Sequence, residues 1–264
     1  VIAYGTADDN PTGLGLFLIT TFVEGTQLRE MIKADSTDEQ GDKILRSDIP
    51  DSTLMVVYLQ IAGILLQLSE HNFDRIGSLS IDSDGNWFIG SGPLTLNMNE
   101  LARCGDVHVK PRVYSTTADY LLQIAEQNFL HLERQRNSIR NAADARLKYT
   151  ARYLFCAVAP NFVSRRYDRG PFKLFCDDFQ LGNILVDDSF KITGIVDWEW
   201  CCAAPFQFTY APPRWLLLNE PAYWNSNVDK EDLLNIYIPK LELFLSILEE
   251  QEHCRQDHEA PTRT

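Results

Sequence analysis

Methionine, basic residues and patterned cysteine are all scarce in this 264-residue sequence, and each scarcity excludes something. Only 24 Lys and Arg stand against 37 Asp and Glu, which leaves a formal net charge of −13. Binding a phosphate backbone requires clustered Lys and Arg that release counterions, so nucleic acid is not expected as a partner. No apolar run approaches the ~18 residues of a membrane helix, and the N-terminus lacks a basic segment followed by an apolar core. A soluble, cytoplasmic protein with no membrane partner is therefore expected. The six cysteines form no CxxC and stand as scattered singles apart from Cys201-Cys202. That pattern is neither a disulfide framework nor a zinc site, so reduced thiols are the expectation. The chain opens Val-Ile-Ala-Tyr and its first methionine is Met31, from which an upstream portion is expected.

What is present can build a core. Hydrophobic residues make up 45% and aromatics 11% of the chain, which excludes intrinsic disorder. Residues Val1 to Tyr4 and Leu16 to Val23 read as two strands joined by a turn rich in Gly, Asp, Asn and Pro, and Gly13-x-Gly15 belongs to that turn. Thr26 is placed to cap a short helix whose Leu28, Met31 and Ile32 share a face, followed by a polar loop from Asp35 to Pro50. From Leu54 to Leu68 the chain is apolar on nearly every side, the pattern of a buried helix capped by Asp51 or Ser52. The turn Asp82-Ser83-Asp84-Gly85 joins two short strands, Ile76 to Leu79 and Trp87 to Ile89. Helical spacing covers Thr117 to about Arg136, then Ser138 to Val158, and returns from Arg214 and over Lys230 to Glu250, where Pro239 predicts a kink. Three strand-like runs, Lys173 to Phe175, Ile184 to Val186 and Lys191 to Val196, lie between these helices.

The densest signal lies in those last strands. Cys176-Asp177-Asp178-Phe179-Gln180-Leu181-Gly182-Asn183 is followed, after a short β-turn-β, by Val196-Asp197-Trp198-Glu199. A carboxylate, an amide five residues on and a second carboxylate after a hairpin bring three oxygen-bearing side chains to one end of a small sheet. Phosphoryl transfer needs that set: one group to direct the attacking hydroxyl, and hard oxygen ligands for Mg²⁺. An isolated D-x4-N reads more simply as an Asx-type loop, and the second carboxylate tips the balance.

These residues resemble the aminoglycoside phosphotransferase family, a branch of the protein-kinase-like fold that includes choline kinases. The family pattern is His-x-Asp-x-x-x-x-Asn followed by Ile-Asp-Trp/Phe-Glu; here it stands as Cys176-x-Asp178-x4-Asn183 and Val196-Asp197-Trp198-Glu199. Leu16 to Leu28 (LFLITTFVEGTQL) looks like the family's last N-lobe strand, hinge and first C-lobe helix, and Phe73 to Leu79 (FDRIGSL) is similar to a fungal subset. The resemblance implies an α+β, two-lobe fold: residues 1–25 as a remnant of the N-lobe sheet and hinge, 26–250 as a mostly helical C-lobe, and 251–264 as a polar tail. It implies Asp178 as catalytic base, Asn183 and Asp197 as Mg²⁺ ligands, and the backbone of Thr21, Phe22 and Val23 against the adenine of ATP. The acceptor would be a hydroxyl on a small molecule. The family spacing selects Asp178 over its neighbour Asp177, and Glu199 stands equally as a metal neighbour or a loop support.

The sequence departs from the family in two places. Cys176 replaces the motif His, and as a small hydrophobe it cannot orient the loop through a ring N–H. No glycine-rich phosphate loop precedes the hinge, and the earliest lysine, Lys33, follows it. Those parts would have to lie upstream, so this stretch alone is expected to have little activity. The rival reading is a non-catalytic kinase-like binding module.

Overall fold

The structure, a computed structural model, describes residues 1–33, 45–46, 48–103, 107, 110, 112–134, 138–211, 213–217 and 230–259. The expected loop from Asp35 to Pro50 lies mostly outside the described residues. Within them the chain mixes α-helices with small antiparallel sheets, consistent with the α+β expectation.

The N-terminal hairpin forms: β1 (Ala3–Gly5) runs antiparallel to β2 (Phe17–Ile19), with Tyr4 opposite Leu18, and Gly13 and Gly15 take positive φ in the turn. Its apolar side chains are largely exposed, Tyr4, Leu16 and Leu18 among them. Thr26 is not a helix cap. It belongs with Gln27 to β3 (Thr26–Gln27), where it pairs with Val186. Gln27 holds the cap position of α1 (Leu28–Ile32) without a side-chain cap bond. A β-branched residue beside a free strand edge gains a ladder partner there, which overrides its capping preference.

Helix α2 (Asp51–Ser69) carries the main core. Leu54, Val57, Tyr58, Ile61, Ala62 and Leu66 are buried at helical spacing, whereas Met55, Val56 and Leu59 are exposed, so only one side of this apolar helix is covered. By length and composition alone α2 could cross a membrane, against the expectation drawn from the lack of an unbroken apolar run. Its buried face packs on α7 (Lys230–Glu259) around a triad of rings, with Tyr58 and Trp215 each 5.6 Å edge-on from Phe244. Leu28, Ile32, Leu181, Ile184 and Val186 close the same core from the other side. Ile61 is fully buried there, and Ile61→Ala is expected to cost about 2–5 kcal/mol, read as a drop in the midpoint of urea unfolding.

Helix α7 continues through Pro239 and on to Glu259, past the expected polar tail at 251. The cause is an anchor that composition does not reveal: Arg255 donates to the Gly63 carbonyl at 3.0 Å and to the Glu70 carboxylate at 2.5 Å, tying the last turns to α2. Nearer its start, Lys240 donates to Asp51 at 2.6 Å.

Strands β4 (Asn72–Phe73), β7 (Phe172–Cys176) and β10 (Cys201–Ala204) form one antiparallel sheet with β7 in the middle. A second holds β3, β8 (Ile184–Val186) and β9 (Ile192–Ile195), with β8 central. The hairpin of β5 (Ser78–Ile81) and β6 (Trp87–Ser91) turns as expected, with Gly85 at positive φ and Asp82 Oδ1 accepting from the amides of Asp84 and Asn86. Helix α3 (Leu96–Arg103) follows, then α4 (Thr117–Arg134) and α5 (Ala142–Val158). Asn141 caps α5 by accepting from the amides of Ala143 and Asp144. No residue of α5 is fully buried. The short α6 (Phe206–Thr209) leads from β10 toward Trp215.

Candidate active site

Two loops meet where the two small sheets end. The first runs from the end of β7 through residues 177 to 183 into β8; the second leaves β9 and runs through residues 196 to 200 into β10. Backbone bonds fasten them together at both ends: the Val196 amide donates to the Asn183 carbonyl at 2.9 Å, and the Asp177 amide to the Trp200 carbonyl at 3.1 Å. Leu181 and Ile184, on either side of Gly182-Asn183, are buried in the α2 core and hold the first loop from below. Gly182 leaves room above: a Cβ there would meet the Arg29 guanidinium at 3.0 Å.

Asp178 lies at the centre of the first loop. Its Oδ1 accepts from Gln180 Nε2 and its Oδ2 from Asn183 Nδ2, each at 3.0 Å. Asn183 Nδ2 also donates to the Asp178 carbonyl at 3.0 Å. Both amide hydrogens of the buried Asn183 are thus spent on Asp178, which leaves its Oδ1 as the free pole of the amide. Asp177 is employed differently: its Oδ2 accepts from the Leu96 amide at 3.0 Å, fixing the start of α3. The structure therefore brings Asp178 and Asn183 into direct contact and gives the neighbouring carboxylate a supporting task.

Asp197 follows Val196 by one residue, so the strand bond that joins the loops also sets Asp197 beside Asn183 in the chain path. Its φ is 60°, the left-handed region that few non-glycine residues occupy and that Asp tolerates best. Such backbone outliers collect at functional sites. The carboxylate is exposed. By contrast Asp187, on the turn between β8 and β9, spends Oδ1 on the Ser189 amide and hydroxyl and the Lys191 amide. Those bonds, the Ser189 hydroxyl first, hold its carboxyl below the usual carboxylate range.

Among the described residues no three His, Cys, Asp or Glu side chains cluster as a metal site. Mg²⁺ does not require such a cage, since it keeps several waters and takes one or two carboxylates together with substrate phosphates. An amide oxygen freed by the bonds of Asn183 and an exposed Asp197 carboxylate have the hard-oxygen chemistry it prefers.

Thr21, Phe22 and Val23 lie outside the strands, with Phe22 exposed and Val23 against Gly194 of β9. The approach is close because residue 194 is glycine: a Cβ there would lie 2.6 Å from Val23 Cγ1. Thr193 Oγ1 donates to the Glu24 carbonyl at 2.6 Å and secures the end of the segment.

Cavities flank the loops. One of about 330 Å³ is lined by Cys176, Asp177 and Phe179 together with Leu65 and Trp215. Another of about 580 Å³ is lined by Glu199 and Cys201, Leu79 of β5, Asn99 of α3 and Gln127 of α4. Gln127 is buried, and its Nε2 has no hydrogen-bond partner. Trp215 and Trp198 are packing residues: Trp215 is buried in the ring cluster, and Trp198 Nε1 donates to the Ile195 carbonyl at 2.9 Å.

Sequence reasoning missed Gln180, which hides among the unassigned positions of the motif. It also missed Gln127. The available signal there was a polar residue on the stripe of α4 that carries Tyr120 and Ile124. It treated the cysteines as unrelated, yet Cys176 and Cys201 are register partners across β7 and β10. The neighbouring Cys201 thiol lowers the Cys176 thiol against the opposing effect of burial, while the same pairing raises Cys201. Burial pushes Cys202 up to about 12.

No protein-family model matches the chain, and a search of curated proteins finds no match.

Proposed function

We propose that this chain is an ATP-dependent phosphotransferase of protein-kinase-like fold, which moves the γ-phosphoryl group to a hydroxyl of a small molecule. The observation that carries this reading is the bonding of Asn183. Its side chain grips Asp178 while its carbonyl receives the Val196 amide, so base, amide and second carboxylate belong to one fastened unit. Asp178 has one acceptance filled on each oxygen, and an ionised carboxylate retains further lone pairs for an acceptor hydroxyl. It directs that proton while Gln180 and Asn183 keep the carboxylate from turning. Asn183 Oδ1 and the Asp197 carboxylate would hold Mg²⁺, and Thr21 to Val23 would line the adenine. Bound Mg·ATP supplies the transferable group and the charge neutralisation on which such catalysis relies. The cavity beside Glu199, at about 580 Å³, falls within the ~300–1,000 Å³ usual for small-molecule sites.

Calorimetry of ATP binding with and without Mg²⁺, on the full-length protein, tests the reading. Asp197→Ala is expected to weaken the Mg²⁺-dependent part by ~10-fold or more. Asp187→Ala is expected to leave it unchanged, because that carboxylate is spent on its own turn. Equal effects at both positions would overturn the ligand assignment. Indifference of the wild-type protein to millimolar Mg·ATP would leave the non-catalytic module in its place.

A further inference from the structure

We propose that Cys176 and Cys201 are an oxidative modification site, at which a peroxide joins the two sulfurs in a disulfide that binds the strand entering the Asp178 loop to the strand leaving the Asp197 loop. The geometry is already that of a bridge. The two residues are direct partners in the antiparallel register of β7 and β10. Directly opposed antiparallel residues have Cα atoms ~4.5–5.5 Å apart, inside the ~4.4–6.8 Å that a disulfide spans. Their side chains leave the sheet on the same face. Cys202 is opposite Phe175 and projects from the other face, so it does not compete. Cys156 and Cys254 lie on α5 and α7.

Access and chemistry agree with the geometry. Cys176 lines the cavity of about 330 Å³ and Cys201 the one of about 580 Å³, so each residue borders space wide enough for a molecule as small as hydrogen peroxide. The neighbouring Cys201 lowers the Cys176 thiol and so favours its thiolate, the form that attacks. Its sulfur displaces hydroxide from the peroxide: an S–O bond forms, the O–O bond breaks, and the hydroxide takes a proton to become water. The sulfur of Cys201 then attacks the sulfenic sulfur of Cys176, the S–O bond breaks, and the second oxygen leaves as water with the thiol proton. In sum, two thiols and one peroxide give a disulfide and two waters.

The bond would close a ring containing Asp178, Asn183 and Asp197 and so restrict the movement of both loops. That consequence for turnover rests on the phosphotransferase reading; the bond itself does not.

The test is a disulfide map. The protein is treated with stoichiometric hydrogen peroxide, its remaining thiols are alkylated, and a non-reducing digest is read by mass spectrometry. The expected product is one pair of peptides joined through Cys176 and Cys201, two hydrogens lighter, released by dithiothreitol, with Cys156 and Cys254 alkylated. Cys202→Ser is expected to keep the link. Cys201→Ser is expected to abolish it and leave Cys176 as a sulfenic acid that dimedone traps. Recovery of Cys176 and Cys201 as separately alkylated thiols, or a link to any other cysteine in preference, would overturn the proposal whatever the protein does with ATP. A link that forms in a protein without phosphoryl transfer would uphold the redox site and count against the phosphotransferase reading alone.

Discussion

On the phosphotransferase reading, replacing Asp178 with asparagine is expected to slow phosphoryl transfer by ~10²–10⁴-fold, the contribution of a general base, while the protein stays folded. The hydrogen bonding explains both halves of that result. In the native loop each carboxylate oxygen accepts from a side-chain amide, Gln180 on one side and Asn183 on the other. An asparagine keeps one acceptor and turns an NH₂ toward the other amide, so the loop loses one bond and gains a donor-donor contact. A hydrogen bond to a charged group is worth ~1.5–3 kcal/mol, a minor part of a domain's ~5–15 kcal/mol. Transfer therefore suffers far more than folding. Asp178→Ala removes both acceptors and leaves Asn183 Nδ2 with only the Asp178 carbonyl, so it is expected to lower the melting temperature further at a similar rate loss. Initial rates beside thermal melts separate the effects. Transfer within a few-fold of wild type in both variants would remove Asp178 from the mechanism. Asp177→Ala is the informative comparison, since its carboxylate serves the start of α3 and its loss is expected to act through stability.

The parts of this architecture that could be read from the sequence are those written in short-range chemistry. The Asp82 to Gly85 turn, the strands around Asp187 and the contact between Asp178 and Asn183 each span a few residues, and each is dictated by a side chain bonding to nearby backbone or to a neighbour five positions on. What could not be read depends on pairing between distant segments. Thr26 has capping chemistry, but the edge offered by Val186, 160 residues later, decides its conformation. The end of α7 looks like a polar tail until Arg255 finds Gly63 and Glu70. The same holds for the cysteines. Spacing in the sequence carries no information about the register of β7 against β10, and that register alone turns Cys176 and Cys201 into neighbours. Helix α2 shows the converse limit: its composition is apolar nearly all round, so it could not tell which side the core would cover, and Met55, Val56 and Leu59 face outward.

On the same reading Asn183 is the residue on which support and chemistry converge, and Asn183→Asp is expected to show it more sharply than truncation. Asn183→Ala deletes the two bonds to Asp178 and opens a small void between Leu181 and Ile184, for an expected loss of about 1.5–3 kcal/mol and ~10²-fold in transfer. Asn183→Asp keeps the volume but replaces the NH₂ that donates at 3.0 Å with a second carboxylate oxygen. Two carboxylates at that distance cannot both ionise without strong repulsion, so the folded pair holds one proton to a pH above the normal carboxylate range. The sign of the resulting pH dependence follows. A carboxyl whose folded pKa is raised above its unfolded value of ~3.9 contributes no penalty below that value, and the variant loses stability as pH rises from there through the raised folded pKa. Asn183→Asp should therefore approach wild-type stability near pH 4 and fall progressively behind it toward pH 7, whereas the deficit of Asn183→Ala should stay flat across the same window. Denaturant midpoints at stepped pH measure this directly and need no ATP. A flat deficit in Asn183→Asp would mean that the 183 side chain does not address Asp178, and with it the grip that holds base, amide and second carboxylate together would be lost.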